Sequence, residues 1–190
     1  MNDRKMIVFL LLTTTICTLL LSGANLAYVR AAAIFESRLR QDILALYGVP
    51  EAEATAEGAF EEHFEVREVG DTTYYVAKKV APGTVVFKAE GPGLWSRVEL
   101  LLAVAADGKS LYGLRVLAQA ETPGLGGRIS ELAFQEQFKG VGLRPQLKLV
   151  KFAMADNETD AVSGATMTST AVQAIINQGV ANADRAMEWE

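Results

Sequence analysis

The sequence predicts an α+β protein: a single N-terminal transmembrane helix followed by one domain in which an antiparallel sheet is flanked by helices. Three observations predict it. Residues 6 to 29 contain no charged side chain. Between residues 64 and 117, short runs of β-forming residues alternate with the turn pairs Gly70-Asp71, Pro82-Gly83 and Asp107-Gly108. From Val172 onward, apolar residues recur with a helical period. Strands in antiparallel succession with helices at both ends suit an α+β domain.

The apolar stretch of 24 residues from Met6 to Val29 would extend about 36 Å as a helix, enough to cross a bilayer core. Ala31-Ala32-Ala33 leaves a cleaved signal peptide open as an alternative, but the length favours an uncleaved anchor. Arg4 and Lys5 on one side face Arg30, Arg38 and Arg40 on the other, so counting basic residues does not orient the span. The expectation is a cytoplasmic tail at 1–5, a transmembrane helix at 6–29, and the rest outside the cytoplasm.

Ile34, Leu39, Ile43, Leu44 and Leu46 continue the helical period as a stalk over 30–63, with a break at Gly48 and Pro50 and an acidic second helix from Glu51 to Phe64. The domain proper, 64–190, begins with a hairpin of Phe64 to Val69 and Thr72 to Val80, in which Tyr74, Tyr75 and Val76 are strand formers. Thr84 to Ala89 adds a strand, and Gly91 to Ser96 a glycine-containing loop. A second hairpin pairs Arg97 to Ala105 with Ser110 to Leu117 across Asp107-Gly108. A helix from Ile129 to Phe138, a strand from Gln146 to Phe152 and a terminal helix complete the order. In that helix Val172, Ile175, Ile176, Gly179, Val180 and Ala183 form one face.

Composition excludes several classes. Of the net charge of −5, residues 1–30 carry +2 and the remainder −7, which argues against nucleic acid and against a polybasic membrane patch. The lone Cys17 lies in the apolar span and the lone His63 in a polar stretch expected to be solvated. Zinc, haem and iron–sulfur sites built from this chain's side chains are therefore not expected.

Two motifs carry the functional reading. Asp160-Ala161-Val162-Ser163-Gly164-Ala165-Thr166 precedes the terminal helix. It resembles the signal at which a dedicated transferase esterifies a threonine hydroxyl with the phosphate of FMN, and the resemblance makes Thr166 the linked residue. The same residues also suit an ordinary Ser/Thr-rich helix cap, with Thr168, Ser169 or Thr170 as the N-cap. A phosphate ester on Thr166 would lie at or just before the helix N-terminus, where free amides and the dipole favour an anion. The second motif is Glu121-Thr122-Pro123-Gly124-Leu125-Gly126-Gly127, whose glycines let backbone approach a flat ligand; taken alone, the loop equally suits an ordinary surface turn.

Together, behind one membrane span, these motifs resemble the covalent-FMN subunits of two related respiratory complexes. One is the Rnf ferredoxin–NAD oxidoreductase, whose member of this family is RnfG. The other is the sodium-translocating NADH–quinone oxidoreductase (Nqr), whose member is NqrC. Gly91-Pro92-Gly93-Leu94-Trp95-Ser96 looks like the quinone-reductase branch, whereas the short chain and Phe138-Lys139-Gly140 look like the Rnf branch. Relatives often carry a histidine two positions before the motif glutamate; here it is Gln119. The resemblance implies a single-pass component of the bacterial inner membrane with covalent FMN on Thr166. Asp160, Ser163, Gly164 and Ala165 would form the recognition turn, and Glu121, Thr122, Gly124, Leu125 and Trp95 would line the flavin.

It further implies that other membrane subunits supply the donor and acceptor sites and the ion path, that a flavin transferase matures the chain, and that this chain relays electrons. A stand-alone membrane-anchored reductase acting outside the cytoplasm is the alternative enzyme reading, and a non-redox assembly module a third. The chain lacks a Gly-x-Gly-x-x-Gly fingerprint after a strand.

Overall fold

The computed structural model describes residues 3–56 and 58–187. The chain divides into two units, residues 1–41 and 42–190. Helix α1 runs from Asp3 to Leu46 and includes a stretch long and apolar enough to cross a membrane. The hydroxyls of Thr13, Thr14, Thr15 and Thr18 in that stretch donate to carbonyls three or four residues back, at 2.7 to 3.0 Å. These threonines thus carry no unsatisfied donor into a medium that could not hydrate it.

Residues 51–64 do not form one helix. Two short helices, α2 (Glu51–Ala54) and α3 (Ala59–His63), replace it. Gly58, with φ of 79°, takes a left-handed turn that no helix interior accepts. His63 is buried rather than solvated, its Nδ1 2.9 Å from the Ala59 carbonyl, to which it donates, and its Nε2 3.4 Å from Glu53.

The sheet is a five-stranded antiparallel meander: β1 (Phe64–Val69), β2 (Thr72–Ala77), β3 (Val85–Pro92), β4 (Arg97–Val104) and β5 (Leu111–Ala118), in that spatial order. β3 extends through Pro92, three residues past its expected end at Ala89, and its pairing with β4 continues to Pro92↔Arg97. The β3–β4 turn is thereby cut to residues 93–96. The run Leu100-Leu101-Leu102-Ala103-Val104 is buried on both faces of the sheet, which is why it reads as continuously apolar rather than alternating.

Helix α5 (Thr166–Ala186) covers one face of the sheet. Val172, Ile175, Ile176, Val180 and Ala183 pack there with Phe87, Ala89, Leu100 and Leu102. Gly179 allows the closest approach, since a Cβ there would lie 2.8 Å from that of Ala89. On the other face, Leu46 meets Gly113 and Tyr47 stacks on Tyr112 at 4.7 Å.

The predicted helix from Ile129 to Phe138 is instead a 3-10 turn (Gly126–Ser130) followed by α4 (Leu132–Glu136). The strand expected over 146–152 shrinks to β6 (Lys148–Val150), paired in parallel with β7 (Glu158–Asp160). At its start Asn177 of α5 engages both the N–H and the carbonyl of Leu147, at 3.0 and 2.9 Å, pairing backbone just before β6 that a neighbouring strand would otherwise pair. Within β6, Gln173 of α5 accepts from the Leu149 amide at 2.8 Å.

Candidate functional site

Three segments distant in sequence meet at the N-terminus of α5. The first is the turn 93–96. It is closed by the Gly93 amide on the Ser96 carbonyl at 2.7 Å, and its next amides turn inward. The second is the stretch 119–127, and the third is the turn 162–165 with the first turn of α5.

Glu121 is the joint. It is buried, and its Oε1 accepts from the Trp95 amide at 2.9 Å and the Ser96 amide at 3.2 Å, while its Oε2 accepts from the Thr168 hydroxyl at 2.7 Å. Successive amides converging on one anion form a nest. Burial pushes this carboxyl up, but the bonds from Trp95, Thr168, Ser96 and Leu94 outweigh it and hold the group below the usual carboxylate range. Gln119 accepts from the Glu121 amide at 2.7 Å and donates to Ser130, and the Ala120 amide donates to Ser96 Oγ at 2.7 Å. The histidine position of the resemblance is therefore a backbone brace in this chain.

Space around the carboxylate is made by glycine. A Cβ on Gly93 would lie 2.6 Å from Glu121 Oε1, and one on Gly126 would lie 2.5 Å from Thr168 Oγ1. Gly164, at φ 79°, turns the chain into α5, and a Cβ there would meet Leu125 Cδ2 at 3.3 Å. The two motifs, read separately in the sequence, are in contact.

α5 begins at Thr166, with Ala165 in the cap position and no side-chain cap. The N-cap expected from Thr168, Ser169 or Thr170 is therefore corrected, because each of those hydroxyls is used elsewhere. Thr168 donates to Glu121. Ser169 donates to the Ala165 carbonyl and accepts from the Val162 amide, both at 3.0 Å. Thr170 donates back to the Thr166 carbonyl at 2.9 Å. The Thr166 side chain is exposed, and among the described residues its hydroxyl makes no hydrogen bond.

Of the other residues singled out by sequence, Ser163, Gly164, Thr122 and Gly124 are exposed and Ala165 is buried. Leu94, Trp95, Leu125 and Met167 present 45 to 73% of their surface, an apolar rim beside Thr166. Asp160 is turned away from the helix: its Oδ1 accepts from the Ala153 amide at 2.7 Å, and its backbone pairs with Gln137. Sequence reasoning missed Thr168 and Gly93 as parts of the site. The available signal was a hydroxyl two residues after the motif threonine, on the opposite side of the helix.

Chemically, the arrangement offers a reachable hydroxyl at the first residue of a 21-residue helix. The amides of that first turn have no intrahelical acceptor, and the helix dipole is positive there.

Residues 93–181 match the FMN-binding domain family. The chain is 38% identical over 97 residues to NqrC of the Na(+)-translocating NADH-quinone reductase of Vibrio anguillarum, a match covering 47% of this chain and 38% of that protein. NqrC of Neisseria meningitidis serogroup A is 38% identical over 98 residues, covering 48% and 38% respectively. The matched stretch thus spans well under half the length of these relatives. NqrC from Parabacteroides distasonis has the same fold, with a TM-score of 0.67 at 24% identity over 81% of this chain and 93% of that one.

Proposed function

From an FMN-binding domain at residues 93–181, similar in sequence to NqrC of the sodium-translocating NADH–quinone reductases, we propose that this chain is a membrane-anchored electron carrier with FMN joined through its phosphate to Thr166. The observation that carries the proposal is the state of the hydroxyls. Of the four at the start of α5, three are held in protein hydrogen bonds and Thr166 alone is exposed without one.

The residues present fit such a group. The first-turn amides of α5 suit a phosphate, the left-handed Gly164 leaves the turn without a side chain, and Leu94, Trp95, Leu125 and Met167 offer apolar surface to a flat ring. Bound FMN would supply the redox chemistry. Thr166 would hold the phosphate end of the cofactor, and the exposed Trp95 and Leu125 would offer apolar surface that shields the ring from water.

The same reading gives other membrane subunits of an Nqr- or Rnf-type complex as partners, a flavin transferase for maturation, and a domain on the extracytoplasmic side of the inner membrane. Denatured protein made beside an active transferase is expected to fluoresce under ultraviolet light on a gel, and Thr166→Ala to be dark. Fluorescence that survives in Thr166→Ala moves the link to another hydroxyl. Protease added outside the permeabilised outer envelope should digest the domain, and full protection would reverse the orientation.

A further inference from the structure

Glu121 is engaged on both oxygens. Oε1 accepts from the amides of Trp95 and Ser96 and Oε2 from the hydroxyl of Thr168. Its neighbours Gly93 and Gly126 carry no Cβ where one would strike the carboxylate or the Thr168 hydroxyl. Thr168 lies two residues beyond Thr166, about 200° around the helix. One hydroxyl therefore faces out while the other faces in.

We propose that Thr168 is a positioning residue for the flavin: its bond to Glu121 clips the turn 93–96 onto the N-terminus of α5 and sets Trp95 and Leu94 relative to Thr166. The proposal rests on the reading that FMN is carried on Thr166. The clip is buried but separate from the packing of the sheet on α5, which is made independently through Phe87, Ala89, Ile175 and Ile176. Loss of the clip therefore loosens the ring's resting surface and leaves the core in place. The sequence separation of 47 residues explains why neither motif alone displays it.

The test uses the full chain in detergent, made with its transferase, as wild type, Thr168→Val and Thr168→Ser, with folding checked by circular dichroism. Valine keeps the shape and removes the donor; serine keeps the donor. Amide exchange at Trp95 and Ser96 is expected to quicken about tenfold in Thr168→Val while sheet amides stay protected. Flavin anisotropy should fall and the midpoint potential move, and Thr168→Ser should restore all three. Wild-type exchange, anisotropy and potential in Thr168→Val would overturn the clip, as would a serine variant that behaves like valine.

Gel fluorescence separates the two claims. A dark wild type defeats the flavin reading, and amide exchange, which needs no flavin, still decides the clip. Should Thr168→Val fail to fold, Thr168→Ala removes the same hydroxyl with less bulk at this buried position and is expected to quicken the same amides; unchanged protection there counts against the clip.

Discussion

Glu121 concentrates much of the site's polar energy in one side chain. Removing it as Glu121→Ala releases the part-buried amides of Trp95 and Ser96, which water can reach, and strands the buried Thr168 hydroxyl, whose unmet donor costs on the order of 1–3 kcal/mol. A loss of about 1–3 kcal/mol is expected in denaturant unfolding of the domain. The acid dependence has a definite sign. Because the folded carboxyl sits below its ordinary value, its stabilisation is complete above the unfolded value, about 4.3, and is lost as pH falls through the depressed one. Melts of wild type should therefore drop more steeply below about pH 4 than those of Glu121→Gln, and parallel curves would remove Glu121 from the acid response.

At the scale of elements, α5 both buries the core and presents Thr166. Ile176 is fully buried, and Ile176→Ala should cost about 2–5 kcal/mol. Gly179→Ala sets two effects against each other: about 1 kcal/mol of helix propensity gained and a methyl 2.8 Å from the Ala89 Cβ, an overpacking that costs about 1–3 kcal/mol. The contact is with sheet-bound atoms that cannot swing aside, so net destabilisation is expected in thermal melts.

The meander was legible because turn dipeptides and β-formers are local signals, and α5 because its apolar stripe recurs along most of its length. β7 was not: three polar residues, Glu158 to Asp160, owe their strand form to pairing with β6. The helix expected over 129–138 was misread because the 3-10 turn that opens it depends on bonds from Gly127 and Arg128 back to Thr122 and Leu125. Both site motifs could be read, but their contact through Gly164 and Leu125 is tertiary, and the inward Thr168 looked like a cap.

For the whole molecule, the large apolar residues of 6–29 are exposed in this chain, and lipid or detergent satisfies such a surface. The chain is expected to stay in the membrane fraction through high salt and to need detergent for release. If the reading as a relay holds, residues 31–190 carrying FMN should accept electrons from dithionite and reduce negligibly with NADH within seconds, since the sequence has no dinucleotide fingerprint. Rapid bleaching by NADH would favour the stand-alone reductase.

The engagement of three hydroxyls in α5 also bears on the order of events during biogenesis. In the folded helix Thr168, Ser169 and Thr170 are engaged in protein hydrogen bonds and Thr166 is exposed without one, whereas an unfolded chain holds none of the four. If FMN is attached to Thr166 as proposed, the fold would add its own selectivity to that of a transferase reading the motif. Peptide mapping of chains modified before and after folding would then read as a clock: label scattered over four hydroxyls marks attachment that came first, and label gathered on Thr166 marks attachment that waited for α5.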